Sequence, residues 1–162
     1  MKRCILGISR STKFSPHSED RDAAIFAAVA SRLNRGQNEV SVISEDLFIA
    51  VDLTEFDLVF SMARGRSVLE SLAQAEKEQP LCVVNSPSKL LCMSRANIAQ
   101  LLHDNAIPIP QIKVGTPAEM MQTEWAYPCW IKRADACAQT PSDVVFVETA
   151  EQMQAKLQTL LA

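Results

Sequence analysis

The residues of this sequence best suited to chemistry are cations on turn-forming stretches. Ser9-Arg10-Ser11-Thr12-Lys13, Arg64-Gly65-Arg66 and Asn85-Ser86 each follow a short apolar run and precede a stretch of helical character. Arginine presents a planar fork that grips carboxylate or phosphate oxygens in pairs. A glycine between two arginines permits a tight backbone, and free amides at a following helix N-terminus suit an anion. The chemistry implied is capture of an anionic ligand, a carboxylate or a phosphate. The candidate substrate-binding residues are Ser9, Arg10, Ser11, His17, Arg64, Gly65, Arg66 and Asn85. Taken singly, any of these loops is more simply a solvated surface turn, and His17 is an ordinary exposed loop histidine. Three such loops on one edge favour a site, because function concentrates on loops held by a rigid scaffold. Lys132 is a separate feature. It ends the run Tyr127-Pro128-Cys129-Trp130-Ile131-Lys132-Arg133. A charge at the end of an apolar strand needs a partner or a route to water. A phosphate is one such partner, and a nearby Asp or Glu is the other.

The elements that position these residues follow from the apolar pattern. Strands are expected at Cys4–Ser9, Val40–Ser44, Phe56–Ser61 and Leu81–Val84, each a compact apolar run. A helix is expected after Ser18, with Phe26, Val29, Ala30 and Leu33 on its inner face and Gly36 as its stop. Ser67-Val68-Leu69-Glu70 has the form of a capping box opening a second helix, which Pro80 ends. Phe48–Glu55 fits neither pattern. A short helix at Ser88–Met93 and a longer one capped by Ser94 follow, the latter with Ile98, Leu101 and Leu102 inward. Ile107-Pro108-Ile109-Pro110 must be extended. Alternation of strand and helix argues for a parallel sheet covered on both faces, with ligands outside the carboxyl ends of the strands. After Pro110 the character changes. A short helix boxed by Thr116 and Glu119, strands at Tyr127–Arg133 and Val144–Glu148, a polar loop at Ala134–Ser142 and a final helix capped by Thr149 make a small α+β unit. Such a unit is too small to cover its own apolar face.

Composition narrows the classes. The chain has 162 residues and a net charge of −3. No basic excess marks a nucleic-acid face. The apolar run at the N-terminus is too short for a secretory signal, and no apolar stretch approaches a membrane span. A soluble cytoplasmic protein is expected. Cys4, Cys82, Cys92, Cys129 and Cys137 form no Cys-x-x-Cys pair and are odd in number, which suits buried free thiols better than a disulfide framework. With His17 and His103 as the histidines, no zinc pattern can be drawn.

Two stretches resemble the ATP-grasp superfamily, in its glutathione-synthetase-like carboxylate–amine ligases. The first runs through Val84-Asn85-Ser86-Pro87, Cys92-Met93-Ser94-Arg95, Leu101-Leu102 and Ile107-Pro108-Ile109-Pro110. It looks like the family's passage from a Rossmann-like domain into the ATP-grasp fold. The second, Tyr127-Pro128-Cys129-Trp130-Ile131-Lys132, looks like the strand that begins the small nucleotide-gripping lobe. The resemblance implies an α/β fold. A Rossmann-like parallel sheet (the pre-ATP-grasp domain) would span residues 1–112, and a partial small α+β ATP-grasp lobe would span 113–162. It also implies a reaction: a carboxylate attacks the γ-phosphate of ATP, and an amine then displaces phosphate from the acyl phosphate. ATP and Mg2+ are the implied cofactors.

By the same resemblance, Arg95 and Lys132, with Arg133 beside them, fall where the ATP phosphates bind. The loop Ala134–Asp143 falls where relatives carry a glycine-rich lid, and Ser9–Lys13 and Arg64–Arg66 fall at the acceptor substrate. Arg95 stands where lysine is usual, Arg133 where proline is usual, and the lid stretch has no glycine. Arginine keeps the charge of lysine but offers a fork in place of a point donor. The family's catalytic and metal-binding residues would follow Ala162, so none is assigned here, and the chain is expected to be the front portion of a ligase. The expected partners are a nucleotide and a small-molecule or peptide carboxylate, without nucleic acid or membrane; a homo-oligomer is left open. The competing reading is a non-catalytic Rossmann-like module that binds an anionic small molecule or a protein partner.

Overall fold

A computed structural model describes residues 2–49, 51–134 and 140–161. In chain order the elements are β1 (Cys4–Ser9), α1 (Glu19–Arg35), β2 (Glu39–Ser44), β3 (Leu58–Ser61), α2 (Arg66–Glu78), β4 (Cys82–Val84), α3 (Pro87–Cys92), α4 (Arg95–Asp104), α5 (Pro117–Met121), β5 (Cys129–Lys132), β6 (Val144–Val147) and α6 (Ala150–Leu161). They form two compact units, Met1–Met93 and Ser94–Ala162. By contacts, α4 and the extended stretch after it belong with the second unit, although their sequence pattern continues that of the first.

The first unit is a four-stranded parallel sheet in the order β2-β1-β3-β4. β1 lies inside it and is buried from Ile5 to Ile8. Its side chains alternate between two cores, as a strand covered on both faces must. Leu6 and Ile8 join Val59, Val68 and Leu72 on the α2 side. Ile5 joins Phe26 and Phe60 on the α1 side. Gly7 lies beneath the Phe26–Phe60 pair, whose ring centroids are 5.1 Å apart. A Cβ at Gly7 would sit 2.9 Å from Phe26 and closer still to Phe60. The glycine is what lets the two rings lie against the sheet.

Several expectations change in detail. Val29 of α1 and Leu101 of α4 are exposed. Of the described residues in Phe48–Glu55, which follow the 3₁₀ turn Glu45–Leu47 and include the turn Leu53–Glu55, Phe48, Val51 and Leu53 pack on the α2 side while Ile49 is exposed. The described cysteines are free, but Cys82 and Cys92 are exposed rather than buried. Cys82 lies on a strand whose alternation turns Val83 inward and its neighbours out.

The second unit pairs β5 with β6 antiparallel. Cys129, Ile131, Val145 and Val147 face a core with Met153 and Leu157 of α6 and Met120 of α5. Its own helices thus cover this face, contrary to expectation. The other face carries the cross-strand pair Trp130–Phe146, with centroids 5.0 Å apart, and both rings are about half exposed. Among the described residues, no helix is long and apolar enough to cross a membrane.

Candidate functional site

In the first unit, the parallel strands bring their carboxyl ends to one edge. The connection after β1 runs to β2 on one side and the connection after β3 runs to β4 on the other, so the crevice between the ends of β1 and β3 is a topological switch point. The expected residues Ser9, Arg10, Ser11, Arg64, Gly65 and Asn85 follow directly from these strand ends. Most of their polar groups already have partners. Arg10 Nη1 meets Asp22 Oδ2 at 2.8 Å, and its Nε donates to the Met62 carbonyl at 3.2 Å. Ser15 donates to the same Asp22 carboxylate. Ser9 Oγ donates weakly to the Ile43 carbonyl, and Asn85 Nδ2 donates to the Ser61 carbonyl at 2.7 Å. Arg66 pairs with Glu70 on the open surface of α2. His17 is exposed and sits at φ 65°, and Asn85 sits at φ 68°. Both are in the left-handed region that few residues other than glycine occupy.

The residue that sequence reasoning missed here is Glu45. It follows β2 directly and is 6% exposed. Its carboxylate accepts from the Ser11 amide at 2.9 Å, from the Arg64 amide at 2.8 Å and from the Gly65 amide. The backbone donors expected to greet a ligand anion therefore hold a carboxylate of the chain itself. Ser44-Glu45-Asp46 carries no motif; its one signal is an acid at the carboxyl end of a strand beside two amide-rich loops.

In the second unit, Arg95, Lys132 and Arg133 come together. Arg95 Nη1 donates to the Arg133 carbonyl at 2.9 Å, and the Ala96 amide reaches the Ala134 carbonyl at 3.4 Å. The start of α4 is thereby tied to the end of β5. All three cations line one cavity of about 670 Å³. Its apolar lining includes Met120, Ile131, Met153 and Leu157. Both tryptophans of the chain, Trp125 and Trp130, line it as well. Lys132 Nζ lies 5.7 Å from the centre of the Trp130 ring, and among the described residues no carboxylate pairs with Lys132 or with Arg95. Arg133 differs, with Asp143 Oδ2 3.9 Å from its Nη1. Lys113 is a cavity cation that sequence reasoning overlooked; its Nζ donates to the Glu124 carbonyl at 2.6 Å and lies over the Trp125 ring. Cys129 also lines the cavity, and burial pushes its thiol above the ordinary value. The glycine-free lid at 134–143 falls in large part on residues 135–139, outside the described residues. Among the described residues, no three His, Cys, Asp or Glu side chains cluster as a metal site would require.

The first unit is thus a parallel four-stranded sheet, and the second a small antiparallel pair backed by helices. A solved structure with this layout is a RimK domain ATP-grasp protein from Sphaerobacter thermophilus. It is 20% identical in sequence and superposes with a TM-score of 0.63. The match covers 98% of this chain and 58% of that one, so the chain spans little more than half the length of its structural relative. No protein-family model matches the sequence, and no curated protein matches it. The likeness is one of fold.

Proposed function

We propose that this chain is the acceptor-side and phosphate-gripping portion of an ATP-dependent carboxylate–amine (or related) ligase that works through an acyl phosphate. One observation carries the reading. Arg95 and Lys132, far apart in sequence, line a single cavity, and neither has a carboxylate partner among the described residues. In this reading a phosphate is the partner of Lys132. An apolar cavity with tryptophans and cations in its lining suits a nucleotide. The base finds apolar and π surface, and the phosphates find charge-assisted donors. In the transition state of phosphoryl transfer, those cations would offset charge on the transferring group. In this reading Mg2+ would arrive with the nucleotide phosphates. The expected partners are the nucleotide and a small-molecule or peptide carboxylate, in the cytoplasm. The front part would end near residue 112 and the small lobe begin at 113. The competing reading, a non-catalytic module for an anionic small molecule or a protein partner, predicts ligand binding without ATP.

The test uses the tryptophans. Because both line the cavity, the intrinsic fluorescence of the chain reports on it. Titration with magnesium-ATP is expected to change that fluorescence saturably. Lys132→Ala removes a charged hydrogen bond and should weaken the effect about 10- to 100-fold. Fluorescence that ignores ATP, or a Lys132→Ala chain that binds as well as its parent, would end the proposal.

A further inference from the structure

The cradle at the carboxyl edge of the sheet contains more than a loop contact. Three backbone amides, those of Ser11, Arg64 and Gly65, converge on one carboxylate. They belong to two loops, one after β1 and one after β3, and the carboxylate comes from a third segment, just after β2. Convergent amides at a switch point form the kind of nest that ordinarily takes a ligand anion. Here the anion is Glu45, buried to 6% exposure.

We infer that Glu45 is a built-in anion. It fills the nest, fixes the loops after β1 and β3, and withholds these three amides from whatever anion approaches this edge. This inference does not rest on the nucleotide reading of the second unit.

Gly65 supplies an independent observation. Its φ is −65°, which any residue adopts, so no backbone strain demands glycine there. A Cβ at Gly65 would, however, lie 2.8 Å from Glu45 Oε1. A carboxylate pinned by three amides cannot swing away without breaking those bonds. The glycine is therefore needed because Glu45 is there, and for no reason of its own conformation. The other polar groups around the cradle serve the same end. Arg10 is held by Asp22 and the Met62 carbonyl, which ties the loop after β1 to the start of α1 and to the end of β3.

The 162-residue chain allows a direct test. Glu45→Ala strands the buried Ser11 amide and the part-buried Arg64 and Gly65 amides, and the thermal midpoint followed by circular dichroism should fall by about 5–15 °C. Formate or acetate, small enough to enter the vacated nest, should restore part of that loss, while chloride at equal ionic strength should not. In the same variant, the amide resonances of Ser11, Arg64 and Gly65 should move saturably with formate, and those of the parent should stay still. Gly65→Ala should lower the midpoint of the parent and leave that of Glu45→Ala almost unchanged. If Glu45→Ala does not fold, Glu45→Gln serves. It keeps the volume but turns a donor-bearing amide toward backbone N–H groups, so it should melt below the parent and show no rescue by formate. The inference is overturned if the variant melts with the parent, if formate acts equally on both chains, or if Gly65→Ala costs the same in both backgrounds.

Discussion

Two arginines separated by sequence context alone look alike, yet the structure uses them differently. Arg10 and Asp22 are each about four-fifths buried, and Ser15 completes the arrangement. Breaking a buried pair from one side leaves an uncompensated charge and costs roughly 2–4 kcal/mol. Arg66 and Glu70 are mostly exposed, and such a pair contributes about 0.5 kcal/mol or less. Arg10→Ala should therefore lower the urea midpoint clearly, and Arg66→Ala should leave it almost where it was. Equal effects would show that Arg10 is not the clamp its geometry describes. The sequence shows that Arg10 lies on a loop at a strand end, but not that an acid on the next helix captures it. Asp22 looks no different in sequence from Glu19 or Asp20 beside it, because the choice depends on which turn of α1 faces the loop. Glu45 is illegible for the same reason: its three partners come from loops distant in sequence. Lys132 is the contrast, since an apolar strand ending in a cation can be read locally. The cysteines give a second test at this scale. Only a thiolate reacts readily, and burial holds the Cys129 thiol above its ordinary value. Cys82 and Cys92 are exposed. Timed alkylation with mass spectrometry should find Cys82 and Cys92 modified well before Cys129.

Elements were legible where their signals are local. The Thr116 box forms as its sequence implies: the Thr116 amide donates to Glu119 Oε2 at 2.7 Å, and the Glu119 amide donates to Thr116 Oγ1 at 3.3 Å. Ser94 and Thr149 also cap their helices. The same motif at Ser67 and Glu70 fails. α2 starts at Arg66 instead, Ser67 lies within its first turn, and Glu70 is drawn to Arg66. Its first amides are set by the loop that Glu45 holds, so a tertiary contact overrides a local one. The box that does form predicts a pH effect. The Thr116 amide, then its hydroxyl, hold Glu119 below its ordinary value of 4.5. A carboxyl with a lowered folded-state pKa adds stability that is complete above the unfolded value and is lost as pH falls through the folded one. Glu119→Gln should thus be less stable than the parent at neutral pH, and the gap should close as pH falls below 4.5. A gap that is constant with pH would mean the charge contributes nothing. The strands offer a packing prediction. Gly7→Ala must push apart two buried rings, which costs about 1–3 kcal/mol and exceeds the gain of less than about 1 kcal/mol from stiffening the unfolded chain. Urea unfolding followed by circular dichroism measures the balance.

At the scale of the whole chain, the layers were readable because strand–helix alternation fixes a parallel sheet, and the shift after Pro110 marks a different architecture. What could not be read is where the packing divides. α4 continues the helical pattern of the first unit, but its tie to β5 through Arg95 and Ala96 counts it with the second. That tie is a tertiary contact with no local signature. The division has a thermodynamic consequence. The cores around β1 and the core around β6 share no residue. Both tryptophans lie in the second unit, and most of the helix and strand lies in the first. Separate cores allow separate transitions, and probes that see different cores then disagree. Urea curves by tryptophan fluorescence and by far-ultraviolet circular dichroism should not coincide. Gly7→Ala should shift the circular dichroism curve and leave the fluorescence curve in place. If both curves move together in that variant, the two cores melt as one cooperative body.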